Sequence, residues 1–121
     1  MTFAEQDLAA IAAADEIEIE TRAPNGNVHR TIIWIVANDG DVYIRSVNGP
    51  GARWYREAIA TGEVAVHIDG RRIPARVEPA ADAEAVAACS EALRAKYKAD
   101  YSLQSMLMPE TLPTTLRVVP A

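Results

Sequence analysis

The residues Val42-Tyr43-Ile44-Arg45-Ser46-Val47-Asn48-Gly49-Pro50-Gly51-Ala52-Arg53-Trp54-Tyr55-Arg56 run from an apolar stretch of strand character, through a Gly-Pro-Gly turn, into an arginine-flanked helix. A junction of this kind can hold an anion, because free N–H groups at a helix start, the positive end of the helix dipole and nearby guanidinium groups converge on one spot. Charge-assisted hydrogen bonds contribute on the order of 1.5–3 kcal/mol each and the dipole under about 1, so Arg45 and Arg53 would dominate the affinity. Ser46 and the backbone from Gly49 to Ala52 would add donors, and a phosphorylated cofactor is the natural ligand. The competing reading is an ordinary strand-turn-helix connection whose arginines pair with Glu57, Asp39 or Asp41 at the surface.

Aromatic residues beside this junction have two readings as well. Trp54 and Tyr55 can cover a planar ring or anchor the helix to the sheet, and Trp34, within an apolar run, can be core or a ring-stacking residue. Tyr43 and Arg45 share one strand face, so with Val42 and Ile44 turned inward they point toward a groove or a partner. Elsewhere the chemistry is sparse. His29 and His67 are the two histidines, and no cysteine pair, His-x-x-x-His spacing or carboxylate cluster has metal-ligand character. Ser46 with His67 lacks the strand-to-helix elbow of a serine nucleophile. No residue is singled out as catalytic.

The elements that must position these residues follow from periodicity. Thr2-Phe3-Ala4-Glu5 has capping-box spacing ahead of a short helix carrying Leu8 and Ile11. Glu16 to Thr21 alternates with period two, which turns Ile17 and Ile19 inward and three carboxylates to water. Pro24-Asn25-Gly26-Asn27 reverses the chain into an antiparallel strand through Thr31-Ile32-Ile33-Trp34-Ile35-Val36, apolar on both faces and so covered on both. Asn38-Asp39-Gly40-Asp41 and Asp69-Gly70 mark two more hairpins. A helix over Ala52–Thr61 closes at Gly62, and after Pro79 a longer helix capped by Asp82 carries Val86, Cys89 or Ser90, Leu93 and Tyr97 as its apolar stripe. Asp100 to Pro113 is irregular, and Thr114 to Val119 reads as a last strand.

The chain of 121 residues fits a single domain, 1–121, able to bury roughly two-thirds of its unfolded surface. One cysteine, Cys89 in an alanine-rich helical stretch, points to a reducing compartment, and no apolar run approaches the roughly 20 residues of a membrane span. The expectation is a soluble, cytoplasmic protein. The net charge of -5 argues against a nucleic-acid role, although six of the ten arginines fall between positions 45 and 76.

Ile33-Trp34-Ile35-Val36, Val42-Tyr43-Ile44-Arg45-Ser46, Gly49-Pro50, Arg53-Trp54-Tyr55-Arg56, Lys96-Tyr97 and Thr115-Leu116-Arg117 resemble the domain-of-unknown-function family 2255 over nearly the whole chain. More widely, the succession of strands around Asp39-Gly40, Arg45-Ser46, Gly49, Trp54 and Gly62 resembles the split β-barrel flavin proteins, which include pyridoxamine-phosphate-oxidase-like and deazaflavin-dependent nitroreductase-like groups. That resemblance implies an α+β fold, a six-stranded antiparallel split β-barrel with flanking helices. It further implies a homodimer holding FMN or a deazaflavin (coenzyme F-420) in a groove between subunits. Phosphate contacts would come from Arg45, Ser46 and Gly49, with Arg30 or Thr31 from the neighbouring strand, while Arg53 and Trp54 lie beside the cofactor and Trp34 or Trp54 borders its ring. Val47 stands where many split-barrel proteins have a lysine, and Pro50 is displaced from the deazaflavin group's proline. The function so implied is an FMN- or deazaflavin-dependent oxidoreductase acting on a small organic substrate. The alternative is a cofactor-free small-ligand-binding module or structural dimer of the same fold.

Overall fold

In the computed structural model, which describes residues 2–121, the elements in chain order are α1 (Glu5–Ala13), β1 (Ile17–Arg22), β2 (Val28–Ile33), β3 (Val36–Asn38) and β4 (Asp41–Ile44), then α2 (Arg53–Thr61), β5 (Glu63–Ile68), β6 (Arg71–Pro79), α3 (Ala83–Lys96), α4 (Leu103–Met106) and β7 (Leu116–Pro120). Single 3-10 segments occupy Gly49–Gly51 and Pro109–Thr114. The tight hairpins are set by backbone chemistry. Asp39 and Gly40 at φ 52° and 85°, and Asp69 and Gly70 at φ 50° and 74°, supply the two consecutive left-handed residues that a twisted two-residue hairpin demands. The β1–β2 turn uses Gly26 at φ 90°, with the Asn27 amide donating to Asn25 Oδ1 at 3.0 Å.

The strands form one sheet in the order β2-β1-β5-β6-β7-β4-β3, and every neighbouring pair is antiparallel. It has seven strands where the sequence led us to expect six. The extra strand arises because the apolar run Thr31–Val36 is not one strand: β2 ends at Ile33, Trp34 and Ile35 leave the ladder, and Val36 opens β3. Those two strands stand at opposite edges of the sheet. Three residues of chain reach only about 10 Å, whereas six strand spacings in a flat sheet would separate the edges by about 29 Å. The sheet therefore has to curl back on itself, and it forms a half-barrel.

This curl creates two cores. Ile17, Ile19, Val42, Ile44, Val66 and Leu116 are among the residues filling the barrel, joined by Trp54 and Ala58 from α2 and by Phe3 and Ile11 from the N-terminal segment. Val36, Tyr43, Ala85, Cys89, Leu93 and Tyr97 pack outside it, beneath α3. β4 is thus covered on both faces, as period-two alternation requires when Val42 and Ile44 go to one core and Tyr43 to the other. The side of β4 that carries Tyr43 and Arg45 lies under α3, which leaves them 3% and 2% exposed rather than on an open groove as expected, although Arg45 still lines an internal cavity.

Two helix starts contrast. Asp82 caps α3 as its position implies, its Oδ2 accepting from the Ala85 amide at 3.1 Å. The Thr2 capping box does not form: α1 begins after Ala4, with no side-chain cap, and Phe3 is drawn into the barrel core instead. α2 ends as expected on Gly62, at φ 72°. The carboxylates of β1 are not simply solvated either. Glu18 pairs with Arg30 at 2.6 Å, and Glu20 receives both Nε and Nη2 of Arg72 at 3.0 and 2.9 Å and stands 2.8 Å from His67 Nε2. Hydrogen bonding from Arg72, opposed by burial and reinforced by His67, lowers the Glu20 carboxyl to about 2.

Replacing Asp82 with alanine should lower stability by about 1 kcal/mol in urea denaturation, the typical worth of a helix cap. The Glu20 cluster gives a pH signature. Because the folded carboxyl is depressed from 4.5 to about 2, its contribution is present at neutral pH and lost as pH falls through that window. The stability difference between the native protein and Glu20→Gln should shrink over the same range, as read by denaturation at several pH values.

Candidate functional site

Arg45 follows the last residue of β4, and alternation sends its side chain outward from the barrel, under α3. It is 2% exposed, yet no carboxylate lies within 4.0 Å of it among the described residues. Its guanidinium is held by neutral acceptors from three parts of the chain. Nε donates to Thr115 Oγ1 at 3.0 Å, Nη1 to Ser90 Oγ at 3.0 Å and to the Met106 carbonyl at 3.2 Å, and Nη2 to the Val86 carbonyl at 3.2 Å. Burial lowers its pKa, as the buried thiol of Cys89 and the charge of Arg94 act in opposite directions on it. Burial likewise pushes the Cys89 thiol up to about 11, which leaves it an inert core residue.

Ser46 is also turned inward. Its amide donates to Thr114 Oγ1 at 2.9 Å and its hydroxyl to the Gly49 carbonyl at 2.7 Å, so the first ties the turn to the segment before β7 and the second closes the turn itself. Gly49 sits at φ 76°, with the Glu110 carbonyl 3.8 Å from where a Cβ would stand. Arg53 lies on the opposite side of the junction. It is half exposed, donates from Nη2 to Thr31 Oγ1 at 3.1 Å and has Nε 3.9 Å from Glu57 Oε2. Arg30 is engaged by Glu18. The surface-pairing alternative thus describes Arg53 in part, and it does not describe Arg45.

Trp34, in the two-residue link between β2 and β3, stacks on Tyr97 with ring centroids 3.8 Å apart and planes at 6°. Trp54 is buried in the first turn of α2 and meets Tyr55 edge to face at 6.1 Å. Between the two tryptophans lies a cavity of about 340 Å³ whose lining includes Thr31, Ile32, Val47, Asn48, Ser105 and the buried Arg45. Of the eight residues singled out in the sequence, Thr31, Trp34, Arg45 and Trp54 line this one cavity, while Arg30, Ser46, Gly49 and Arg53 do not. A guanidinium has five N–H groups; with four hydrogen bonds made, one on Nη2 remains for a ligand.

Glu16 and Ile33 also line the cavity, and so do Ser102, Ser105 and Met106, which were not anticipated because the segment from Asp100 to Pro113 has no periodicity to reveal which side chains turn inward. Ser90, a partner of Arg45, did leave a trace: it is a hydroxyl on the apolar stripe of α3, and a buried hydroxyl needs a partner. Among the described residues no three His, Cys, Asp or Glu side chains come together as a metal site, and no helix is long and apolar enough to cross a membrane.

A curled antiparallel sheet closed by helices over a tryptophan-bordered cavity defines a protein of the split-barrel type. Residues 7–118 match the family model described as an uncharacterized protein conserved in bacteria, domain-of-unknown-function family 2255, and the chain belongs to that family. Among solved structures it is similar to the conserved hypothetical protein Rv2991 from Mycobacterium tuberculosis, with TM-score 0.71 and 14% identity over 98% of this chain and 79% of that one. HutZ, the heme storage protein from Vibrio cholerae, superposes with TM-score 0.67 and 10% identity over 100% of this chain and 92% of its own. A putative pyridoxamine 5'-phosphate oxidase from Listeria innocua gives TM-score 0.65 and 15% identity over 96% and 91% of the two chains. These likenesses establish the fold. No curated protein matches the sequence.

Replacing Arg45 with lysine keeps the charge and removes the planar fork that reaches four acceptors, so it should cost about 2–5 kcal/mol. Urea denaturation measures that cost, and a change within about 0.5 kcal/mol would show that the four hydrogen bonds contribute little.

Proposed function

We propose that this protein binds a phosphorylated flavin or deazaflavin in the cavity between Trp34 and Trp54 and uses it for two-electron reduction of a small organic substrate. The observation that carries this reading is Arg45: a buried cation, satisfied by neutral oxygens alone, on the wall of a cavity bordered by two indole rings. Such a charge favours an anionic occupant, and indole faces favour a planar one. The side chains of Asn48, Ser102 and Ser105 make no hydrogen bond to the described residues and are free to donate to a ligand. A flavin-type ring would carry the redox chemistry, while this chain supplies position, a fixed positive charge and a wall against water.

The residues present fit such a ring better than an iron-ligated heme. Neither His29 nor His67 lines the cavity, and the one sulfur on its wall is Met106. Phosphate contacts would come from the Arg45 charge and from Asn48, Ser102 and Ser105, because the amide and hydroxyl of Ser46 are already bonded to Thr114 and Gly49. Arg30, Gly49 and Arg53 would act around the phosphate only if a second subunit and the ligand rearranged their present contacts. A homodimer working in the cytoplasm is part of the same reading. It draws support from Ile32 and Val47, 62% and 45% exposed at the rim of the cavity, where a second subunit would cover them.

Titration with FMN or with the deazaflavin should quench tryptophan fluorescence saturably, and Ser105→Trp, which fills the cavity from an exposed position, should abolish the effect without unfolding the protein. Absence of quenching by both compounds, together with no flavin-like absorbance in the purified protein, would leave the cofactor-free module as the better account.

A further inference from the structure

We propose that a second concavity, between the β1–β2 turn and the outer side of α2, binds a small organic phosphomonoester. Its volume is about 380 Å³, and it shares no lining residue with the tryptophan-bordered cavity. Three arginines line it: Arg22 at the end of β1, and Arg53 and Arg56 in the first turns of α2. Ala23, Pro24 and Ala60 give it an apolar floor.

Arg22 and Arg56 differ from three arginines of the sheet that are neutralised in place. Arg30, Arg71 and Arg72 each hold a carboxylate, at 2.6, 2.7 and 2.9 Å. Arg22 and Arg56 hold none within 4.0 Å among the described residues. Each is instead steadied by one backbone carbonyl, Arg22 Nη1 donating to Gly26 at 3.1 Å and Arg56 Nε to Gly51 at 3.2 Å. One bond of five possible leaves four N–H groups on each fork, already oriented and without a counter-charge.

The one acid on the wall, Glu57, does not neutralise them. It is 7% exposed and its carboxylate is committed elsewhere, accepting from Thr21 Oγ1 at 2.7 Å and lying 3.1 Å from His29 Nδ1, with Arg53 Nε at 3.9 Å. Two free forks suit a doubly charged tetrahedral oxyanion, which can take bidentate bonds from both. The volume is far more than the oxyanion alone would fill, and the alanine and proline floor has nothing to offer a second charge. An apolar or aromatic body attached to the phosphate fits both facts.

Phenyl phosphate is a suitable probe, with inorganic phosphate and benzoate beside it, followed by amide and arginine Nε nuclear magnetic resonance of the full chain. Phenyl phosphate should shift Gly26, Ala60 and the Nε signals of Arg22 and Arg56 saturably, and bind more tightly than either comparison compound. Arg22→Ala and Arg56→Ala should each weaken it roughly tenfold or more. Both side chains are exposed, so the variants should keep the native spectrum, and Arg94→Ala on α3 should bind as the native protein does. Shifts centred on Trp34 and Trp54, unchanged affinity in both arginine variants, or no saturable shift would overturn the proposal. Binding no tighter than that of inorganic phosphate would overturn the organic body. None of these outcomes depends on flavin binding, which is read from tryptophan fluorescence.

Discussion

Four hydrogen bonds from one buried guanidinium tie together four segments that are far apart in the chain. Arg45, at the end of β4, reaches Val86 and Ser90 on α3, Met106 at the end of α4 and Thr115 at the start of β7. Burying a charge with no carboxylate nearby is expensive, and only a full set of well-placed acceptors offsets it. The acceptors must therefore stay put, which constrains α3 and the irregular segment after it. The same constraint sets one wall of the tryptophan-bordered cavity, so the stability of this corner and the charge offered to a ligand come from one side chain.

A second set of contacts holds the curl of the sheet. Where the chain leaves β2 for β3, the Ile35 carbonyl accepts from Lys96 Nζ at 2.7 Å, and the same ammonium donates to the Ile11 carbonyl at 2.9 Å. Tyr97 beside it stacks on Trp34 and donates from its hydroxyl to the Asp15 carbonyl at 2.7 Å, burial pushing that phenol up to about 12. Residues leaving a ladder expose backbone groups that must find partners. The end of α3 supplies them, and so fixes both the crossing between sheet edges and the angle of the indole at the cavity. The Lys96-Tyr97 pair that marks the family resemblance thus has a structural task.

α2 lies between the two concavities and is attached by polar as well as apolar contacts. Trp54 and Ala58 enter the barrel core, while Arg53 and Glu57, one turn apart, reach Thr31 and the Thr21–His29 pair on the neighbouring strands. The buried carboxylate is used up in this docking, and the positive charge of Arg22 and Arg56 on the far side is left uncompensated. Helix attachment and the charge of the outer surface are in that sense one arrangement.

Local chemistry alone determined much of this protein. Asp39-Gly40 and Asp69-Gly70 are legible as hairpins because positive φ is a property of the residues themselves, and Gly62 and Asp82 are legible as helix ends for a similar reason. The alternation of β1 gave its inward face correctly, and the resemblance pointed to the family that the whole-chain match establishes. Tertiary structure decided the rest. Thr31 to Val36 reads as one strand because every residue in it suits a sheet; only the need to close the barrel breaks it at Trp34 and makes seven strands of six. Whether Arg45 faces a ligand or the interior depends on α3, some forty residues further on, and sequence spacing carries no information about which helix covers which face. One acceptor that satisfies it, the Met106 carbonyl, and the serines on the cavity wall lie on a segment without periodicity, where only the folded chain shows what points inward.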